Sequence, residues 1–305
     1  MRVFVWLWGA VLAIAALQPL SAGAIDRTVL VLGRISDDPK SHYDQLKPLL
    51  DYVVPRMKDV GIEEGQILMA KDAQQMGSYL RRGRVDWVTE TAGTAMALQQ
   101  RAGAQPLVLT ERSGVSAYHS VFFVRRDSPL DSLEDLKGHS LAMQSPLSTS
   151  AYLVPAMELL QHGVRMEILL TPHEAPATDA VGYVFARTEL NISTFVHKRV
   201  VDAGVVSSID WSDDHAMPPA FRNDLRVLYR SAPMPRAVEM VRADLDRAVR
   251  ERLRQVLLEA SRDPQAGPAL AKFFGTTGFH PVDAASLRSL ERLRSGLQRI
   301  RMEVE

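Results

Sequence analysis

Strand-like and helix-like segments alternate along most of the chain, and this pattern limits the possible folds more than any other feature. Val29–Gly33 is a short apolar run typical of a buried strand, and residues 44–58 place their apolar side chains at helical spacing. The same order of strand and helix continues to residue 110 and resumes from Tyr118 to Val206. Because strands joined by helices favour a sheet covered on both faces, we predict an α/β fold.

The two series of strands and helices indicate two lobes rather than one long sheet. We predict that residues 25–115 together with 213–305 form lobe 1, and that residues 116–212 form lobe 2. The chain would cross between them near Glu111–Ser116 and Ser207–Asp214, which we interpret as a hinge. Such an arrangement places a ligand cleft between the lobes, where strand ends and helix N-termini meet.

The N-terminal segment has the layout of a secretory signal peptide. Arg2 is the only charged residue among the first 24, and an apolar run from Val3 to Leu17 follows it. Ala22-Gly23-Ala24 then matches the small-residue pattern of a cleavage site. A membrane anchor is the alternative, but the apolar run is shorter than the roughly 20 residues that a bilayer core requires. We therefore predict that residues 1–24 are removed and that the mature protein is periplasmic, secreted and soluble.

Composition argues against several classes of function. Lys and Arg number 36, as do Asp and Glu, so the chain lacks the basic excess typical of nucleic-acid binding. It contains no cysteine, which excludes disulfides and a lipidated cysteine. The histidines lack the spacing of a metal site, and no Gly-x-Ser-x-Gly nucleophile motif occurs. We predict no metal, no cofactor and no catalytic residue, and therefore a binding protein rather than an enzyme.

The sharpest local feature is the segment from Ser145 to Pro155. Ser148, Thr149 and Ser150 follow a predicted strand and open a predicted helix. Backbone N–H groups, the helix dipole and hydroxyl donors converge at such a position and favour an anion. Ordinary N-capping by Ser or Thr is the alternative that this pattern leaves open.

Several segments resemble signatures of the phosphate-, phosphite- and phosphonate-binding proteins of ABC importers. Residues 118–128 read Tyr-His-Ser-Val-Phe-Phe-Val-Arg-Arg-Asp-Ser, residues 132–138 read Ser-Leu-Glu-Asp-Leu-Lys-Gly, and residues 145–155 carry the Ser-Thr-Ser sequence. Val201–Gly204 and Ser231–Pro235 are similar to later signatures of the family. The resemblance implies a type II periplasmic-binding-protein fold, with a hinge and an interlobe ligand cleft.

The resemblance also implies roles for particular residues. Ser148, Thr149 and Ser150 would hold the oxygens of a phosphonate or phosphate group. Tyr43, at the start of the first helix, would help to line the cleft. Asp210, which follows a strand of the second lobe, would meet an amine of the ligand.

The chain departs from the family pattern at two places. Members usually carry Gly-Pro and a ligand-facing tyrosine where this chain has Glu90 and Thr91, and many carry a histidine where it has Glu189. Together with Asp210, these carboxylates would repel a bare dianion unless the ligand carries its own cation. The alternative is that Glu90 and Glu189 turn away and cap helices. We predict a preference for zwitterionic ligands, such as aminoalkylphosphonates, over inorganic phosphate.

Four aromatic residues allow a different ligand class. Trp87, Trp211, Tyr43 and Tyr118 could form a wall for a quaternary amine, although packing at strand ends also explains them. The interpretation that we adopt is a monomeric solute-binding protein, which captures a small oxyanion for an ABC permease in the inner membrane. A ligand-sensing module for a membrane signalling protein is the alternative, because the same pocket would serve both roles.

Overall fold

The computed structural model describes residues 28–303, and the predicted signal peptide, residues 1–24, lies outside this range. The strands are β1 Val29–Ile35, β2 Glu64–Ala70, β3 Trp87–Glu90, β4 Gln105–Arg112, β5 Ala117–Tyr118, β6 Ser120–Arg125, β7 Ser140–Met143, β8 Arg165–Ile168, β9 Ala180–Phe185, β10 Ala203–Ser207, β11 Leu225–Arg230, β12 Met234–Pro235, β13 Ala237–Val241 and β14 Thr276–His280. The helices are α1 Pro39–Val53, α2 Ala73–Arg81, α3 Ala92–Ala102, α4 Val154–Gln161, α5 Glu189–His197, α6 Ser208–Ser212, α7 Pro219–Arg222, α8 Arg247–Ala260, α9 Gly267–Lys272 and α10 Ala284–Glu303. Short 3₁₀ segments span Val54–Val60, Glu134–Leu136 and Pro264–Ala266, and Thr149–Leu153 forms a π-helical turn.

Two six-stranded sheets divide these strands between two lobes. The first sheet has the order β14-β4-β13-β3-β1-β2, and the second has the order β11-β6-β10-β7-β9-β8. In the first sheet β1 pairs in parallel with β2 and β3, and in the second β9 pairs in parallel with β7 and β8. In contrast, β13 in the first sheet and β6 in the second run antiparallel to their neighbours. The predicted α/β fold with two lobes is therefore confirmed.

The chain returns from lobe 2 later than the sequence indicated. β11 pairs antiparallel with β6, so the chain stays in the second sheet through Arg230. The two crossing segments then pair with each other, Ala117 opposite Pro235 and Tyr118 opposite Met234. The polar stretch at Ser207–Asp214 instead contains the short helix α6, which begins with a capping box formed by Ser207 and Asp210. The structure thus places the return crossing at β12 rather than at residue 213.

Local signals explain where the elements begin and end. We predicted the first helix from residue 44, but it begins at Pro39, because Asp38 accepts a hydrogen bond from the backbone of Ser41 and proline fits the first helical position. Gly61, with φ of +81°, ends the 3₁₀ continuation of this helix as predicted. The buried face of α1 is then formed by Leu46, Leu49, Leu50, Tyr52 and Val53.

One hydrophobic cluster continues from lobe 1 into lobe 2. It includes Met96 of α3, Phe122 of β6 and Leu159 of α4. Helix α10 adds Leu293 and Leu297 to this cluster and packs against both α3 and α4. The C-terminal helix therefore contacts both lobes, and it also packs against β12 of the crossing. Across residues 28–303, the helices lack the combination of length and apolar character needed to cross a membrane.

Candidate ligand-binding site

A cavity of about 420 Å³ lies between the two lobes. Lobe 1 contributes the carboxyl ends of β1 and β3 and the first turn of α3. Lobe 2 contributes the segments that follow β7 and β10 and the start of α5. Because the carboxyl ends of parallel strands from both sheets converge there, the cavity occupies the position that open α/β sheets favour for ligands.

Eight of the nine residues that we predicted for the site line this cavity. They are Glu90, Thr91, Tyr118, Ser148, Thr149, Ser150, Glu189 and Asp210. Tyr43 is the exception, since its side chain is 45% exposed on α1 and does not line the cavity. Its neighbour His42 does so instead, because successive helical residues point roughly 100° apart.

The Ser-Thr-Ser segment combines capping with cavity lining. The hydroxyl of Ser148 accepts a hydrogen bond from the backbone N–H of Ala151 at 3.1 Å. Thr149 and Ser150 are both buried in the turn that follows. Pro155 occupies the first turn of α4, where its missing N–H leaves no hydrogen bond unmade. The two interpretations of this segment, a cap and a ligand-facing turn, are thus compatible.

Thr149 connects the two lobes across the cavity. Its hydroxyl accepts a hydrogen bond from the backbone N–H of Gly93 at 3.1 Å and donates one to the hydroxyl of Thr91 at 2.9 Å. Gly93 and Thr91 belong to the start of α3 in lobe 1. The lobes therefore touch beside the cavity, and the cleft is closed at this point.

Glu90 lies in the floor of the cavity and is already bound by protein groups. One carboxylate oxygen accepts from the backbone N–H of Ile35 at 2.9 Å, and the other pairs with Arg34 at 3.3 Å. Burial raises the pKa of Glu90, and the charge of Arg34 opposes that rise. Glu90 thus neither caps a helix nor offers an uncompensated charge to a ligand.

A second buried carboxylate, Glu239 of β13, lies behind this floor. It accepts hydrogen bonds from the indole of Trp87 at 2.6 Å and from the hydroxyls of Thr89 and Thr110 at 2.8 and 2.6 Å. Arg112 donates to the same Thr89 hydroxyl at 3.1 Å. Burial lowers the pKa of Arg112 to about 9, and the nearby Arg34 acts in the same direction.

Two more carboxylates lie on the lobe 2 side of the cavity. Glu189, at the start of α5, accepts a hydrogen bond from the amide of Gln144 at 2.8 Å. Burial raises the pKa of Glu189, and the negative charge of Asp210 adds to the rise. Asp210 accepts from the hydroxyl and backbone N–H of Ser207 at 2.5 and 3.2 Å, in a capping box that begins α6.

Arg236 is a cavity residue that the sequence analysis missed. Its guanidinium lies 5.1 Å from the ring centroid of Tyr118, and its Nε has no hydrogen-bond partner among the described residues. Burial raises the pKa of Tyr118, whose hydroxyl also bonds to Ser150. Arg34, His42 and Lys71 line the cavity too, and they were also missed. The position of Arg34 at the end of a predicted strand was the available signal.

The aromatic residues do not form a wall around the cavity. Trp87 is fully buried, and its indole is bonded to Glu239. Trp211 packs against Phe123 at 5.3 Å between ring centroids. Tyr118 is the one member of the predicted aromatic set that lines the cavity in the described range. Packing at strand ends therefore accounts for both tryptophans.

The fold and the interlobe cavity define a two-lobed periplasmic binding protein. Residues 33–287 match the sequence model of the family described as ABC transporter, phosphonate, periplasmic substrate-binding protein. Because the match covers most of the chain, the protein belongs to this family, and the resemblance inferred from the sequence is confirmed. The members of this family are periplasmic substrate-binding components rather than enzymes.

Solved structures agree with this assignment. The protein XAC2383 from Xanthomonas citri, bound to chloride, is 58% identical to this chain with a TM-score of 0.85, and the alignment covers 91% of this chain and all of that one. The same protein bound to ATP gives 57% identity and a TM-score of 0.85, with 92% of this chain and all of that one covered. PhnD1 from Prochlorococcus marinus, in complex with methylphosphonate, is 17% identical with a TM-score of 0.62 over 90% of this chain and 99% of that one, and shares the type II fold. A comparison with curated proteins found no match.

Proposed function

We propose that the cleft binds a solute through a phosphonate- or phosphate-type oxyanion and delivers it to an ABC permease in the inner membrane. The observation that carries this proposal is the charge at one end of the cavity. Arg34 and Arg236 line the cavity, and Arg112 behind them interacts electrostatically with both arginines and with two carboxylates, Glu239 and Glu90. This cationic surplus in a buried setting favours an anion.

The hydroxyl segment of lobe 2 lies at the same end. Arg236 contacts the ring of Tyr118, and the Tyr118 hydroxyl bonds to Ser150. An oxyanion placed there would receive a charge-assisted hydrogen bond from Arg236, whose Nε is unpartnered in the described structure. The hydroxyls of Ser148 and Ser150 supply further donors of the kind that phosphoryl oxygens accept.

Lobe 2 also contributes two carboxylates to the lining of the cavity. Glu189 and Asp210 come from different elements of lobe 2 and lie close enough to influence each other's charge. Carboxylates accept hydrogen bonds from ammonium or amino groups. We therefore propose a ligand with a phosphoryl group at one end and an N–H donor at the other, and these two carboxylates would act against a bare dianion.

Two ligand types combine these features, namely an aminoalkylphosphonate and a nucleotide with an exocyclic amine. A cavity of about 420 Å³ is in the range of small-molecule sites and exceeds what inorganic phosphate alone would fill. XAC2383, a relative of this chain, has been solved bound to ATP and to chloride, which supports an anion as the ligand. ATP and 2-aminoethylphosphonate are accordingly the first two compounds to test.

Isothermal titration calorimetry with five compounds tests the proposal. They are inorganic phosphate, methylphosphonate, 2-aminoethylphosphonate, ATP and choline. We expect 2-aminoethylphosphonate or ATP to bind more tightly than phosphate and methylphosphonate. A ligand present at 100 times its dissociation constant should also raise the stability by about 2.7 kcal/mol. Binding of choline alone would contradict the proposal and favour a quaternary-amine ligand.

A further inference from the structure

Thr149 is buried between the lobes, with its hydroxyl directed at lobe 1. Its side chain is 2% exposed, and its Oγ1 bonds to the Gly93 N–H and the Thr91 hydroxyl. A threonine hydroxyl has one donor and two acceptor positions. The donor and one acceptor position are therefore already used by the other lobe, which leaves little capacity for a ligand.

Gly93 has no conformational need to be glycine. It lies in the first turn of α3 and is not among the residues with positive φ. Glycine in a helix lowers stability relative to alanine, so its presence there calls for another reason. A Cβ atom at this position would lie 2.7 Å from Thr149 Oγ1 and 2.8 Å from Leu153 Cδ1. The missing side chain is what allows lobe 2 to approach this closely.

Thr91 of lobe 1 likewise uses its hydroxyl for a contact with the other lobe. It is the N-cap residue of α3, yet its side chain makes no capping hydrogen bond to the helix backbone. Its hydroxyl instead accepts from Thr149. A residue type that normally caps its own helix is thus used here by the facing lobe.

We infer that Gly93 and Thr149 are positioning residues that hold the closed arrangement of the lobes, and that the Thr149 hydroxyl does not hold the anion. This inference rests on the proposed function, because the closed arrangement affects affinity only if the ligand binds in the cleft. Ser148, Ser150 and Arg236 remain as the direct partners of the ligand. Closure then brings these three groups of the cavity to the distance that the ligand requires.

Three variants separate a role in holding the lobes together from a role in binding the anion. Gly93→Ala introduces the side chain that would collide with Thr149. Thr149→Val keeps the shape of the side chain and removes both interlobe hydrogen bonds, whereas Thr149→Ser keeps the hydroxyl. Gly267→Ala is the matched control, because a Cβ there would meet nothing within 4 Å.

The distance between the lobes provides a readout independent of affinity. The chain contains no cysteine, so paired spin labels can be attached through Tyr43→Cys in lobe 1 and Leu170→Cys in lobe 2. These side chains are 45% and 90% exposed. Pulsed electron paramagnetic resonance then gives the distance distribution, without ligand and with ATP, methylphosphonate or 2-aminoethylphosphonate.

We expect Gly93→Ala and Thr149→Val to shift the distribution toward separated lobes and to weaken binding by about 10-fold. Thr149→Ser and Gly267→Ala should behave as the wild type. An unchanged distance distribution in both Gly93→Ala and Thr149→Val would overturn the inference. If Thr149→Val also bound the ligand more weakly while its distance distribution stayed unchanged, Thr149 would be a ligand contact. If the wild type bound none of the three compounds, the proposed function would fail, while the distances without ligand would still test the contact.

Discussion

The guanidinium of Arg112 lies 4.6 Å from the ring centroid of Phe274. Arg34 lies 4.8 Å from the same centroid, so one aromatic ring contacts two cations, of which Arg34 lines the cavity. Phe274 adopts a φ of +54°, a conformation that is strained for a bulky side chain. The loop therefore accepts strain at a position where the ring offsets part of the repulsion between two arginines.

From this contact we expect Phe274→Leu to lower the free energy of unfolding by about 1–2 kcal/mol, because cation–π contacts at desolvated sites contribute that much. Phe274→Trp should retain most of the stability, since an indole offers a stronger π face. Urea unfolding of both variants measures the difference. Equal losses in the leucine and tryptophan variants would mean that only the shape of the side chain matters.

Removing the charge of Arg236 should weaken ligand binding more than it affects folding. A hydrogen bond to a charged group contributes about 1.5–3 kcal/mol, so Arg236→Gln should bind the best phosphoryl ligand roughly 10- to 100-fold more weakly. Arg126→Gln, an exposed arginine distant from the cavity, is the control. Calorimetric titration of both variants measures the effect, and unchanged affinity in Arg236→Gln would exclude the residue as a ligand contact.

The carboxylate of Glu189 should produce a pH-dependent stability. Its folded-state pKa is raised by burial and by Asp210, so the folded state retains the proton more strongly than the unfolded state. Its contribution is therefore fully present below the ordinary pKa of Glu and is lost as the pH rises through the folded-state pKa. We expect Glu189→Gln to raise the melting temperature at pH 7 but not at pH 4. A pH-independent effect would contradict this assignment.

Glu239 should be important for folding although it does not line the cavity. It accepts three hydrogen bonds from Trp87, Thr89 and Thr110 and lies near Arg112. Glu239→Leu leaves these donors unsatisfied, and we expect a loss of at least about 3 kcal/mol, since each buried unpaired donor costs about 1–3 kcal/mol. Glu251→Leu, at an exposed position of α8, is the comparison. A similar small loss in both variants would show that water replaces the lost acceptor.

Glu239 also explains why one central strand was not predicted. β13 lies between β3 and β4 and is fully buried, yet a carboxylate in the middle of its five residues interrupts the apolar pattern. Its partners lie 129 to 152 residues earlier in the chain, and the sequence gives no sign that they meet. By contrast, the uninterrupted apolar run at Val29–Gly33 predicts β1 correctly.

The residues of the cavity could be predicted where one contiguous segment of the sequence indicated them. They could not be predicted where residues from distant segments come together. Ser148–Ser150 are contiguous and follow a strand, so their position could be inferred. Arg34 and Arg236 are about 200 residues apart, and only the pairing of β5 with β12 brings Arg236 beside Tyr118. Tyr43 was assigned to the cavity from the resemblance alone. In the structure it lies within α1, and the preceding residue, His42, lines the cavity instead.

Gly296 of α10 determines how closely the C-terminal helix approaches α4 of lobe 2. A Cβ there would lie 2.2 Å from the sulfur of Met157 in α4, so the missing side chain provides the space that Met157 occupies. On the other helix, the contact is formed by a flexible thioether that tolerates changes of shape. Gly296→Ala would therefore displace Met157 and disturb the contact between the C-terminal helix and lobe 2, even though alanine favours the helix.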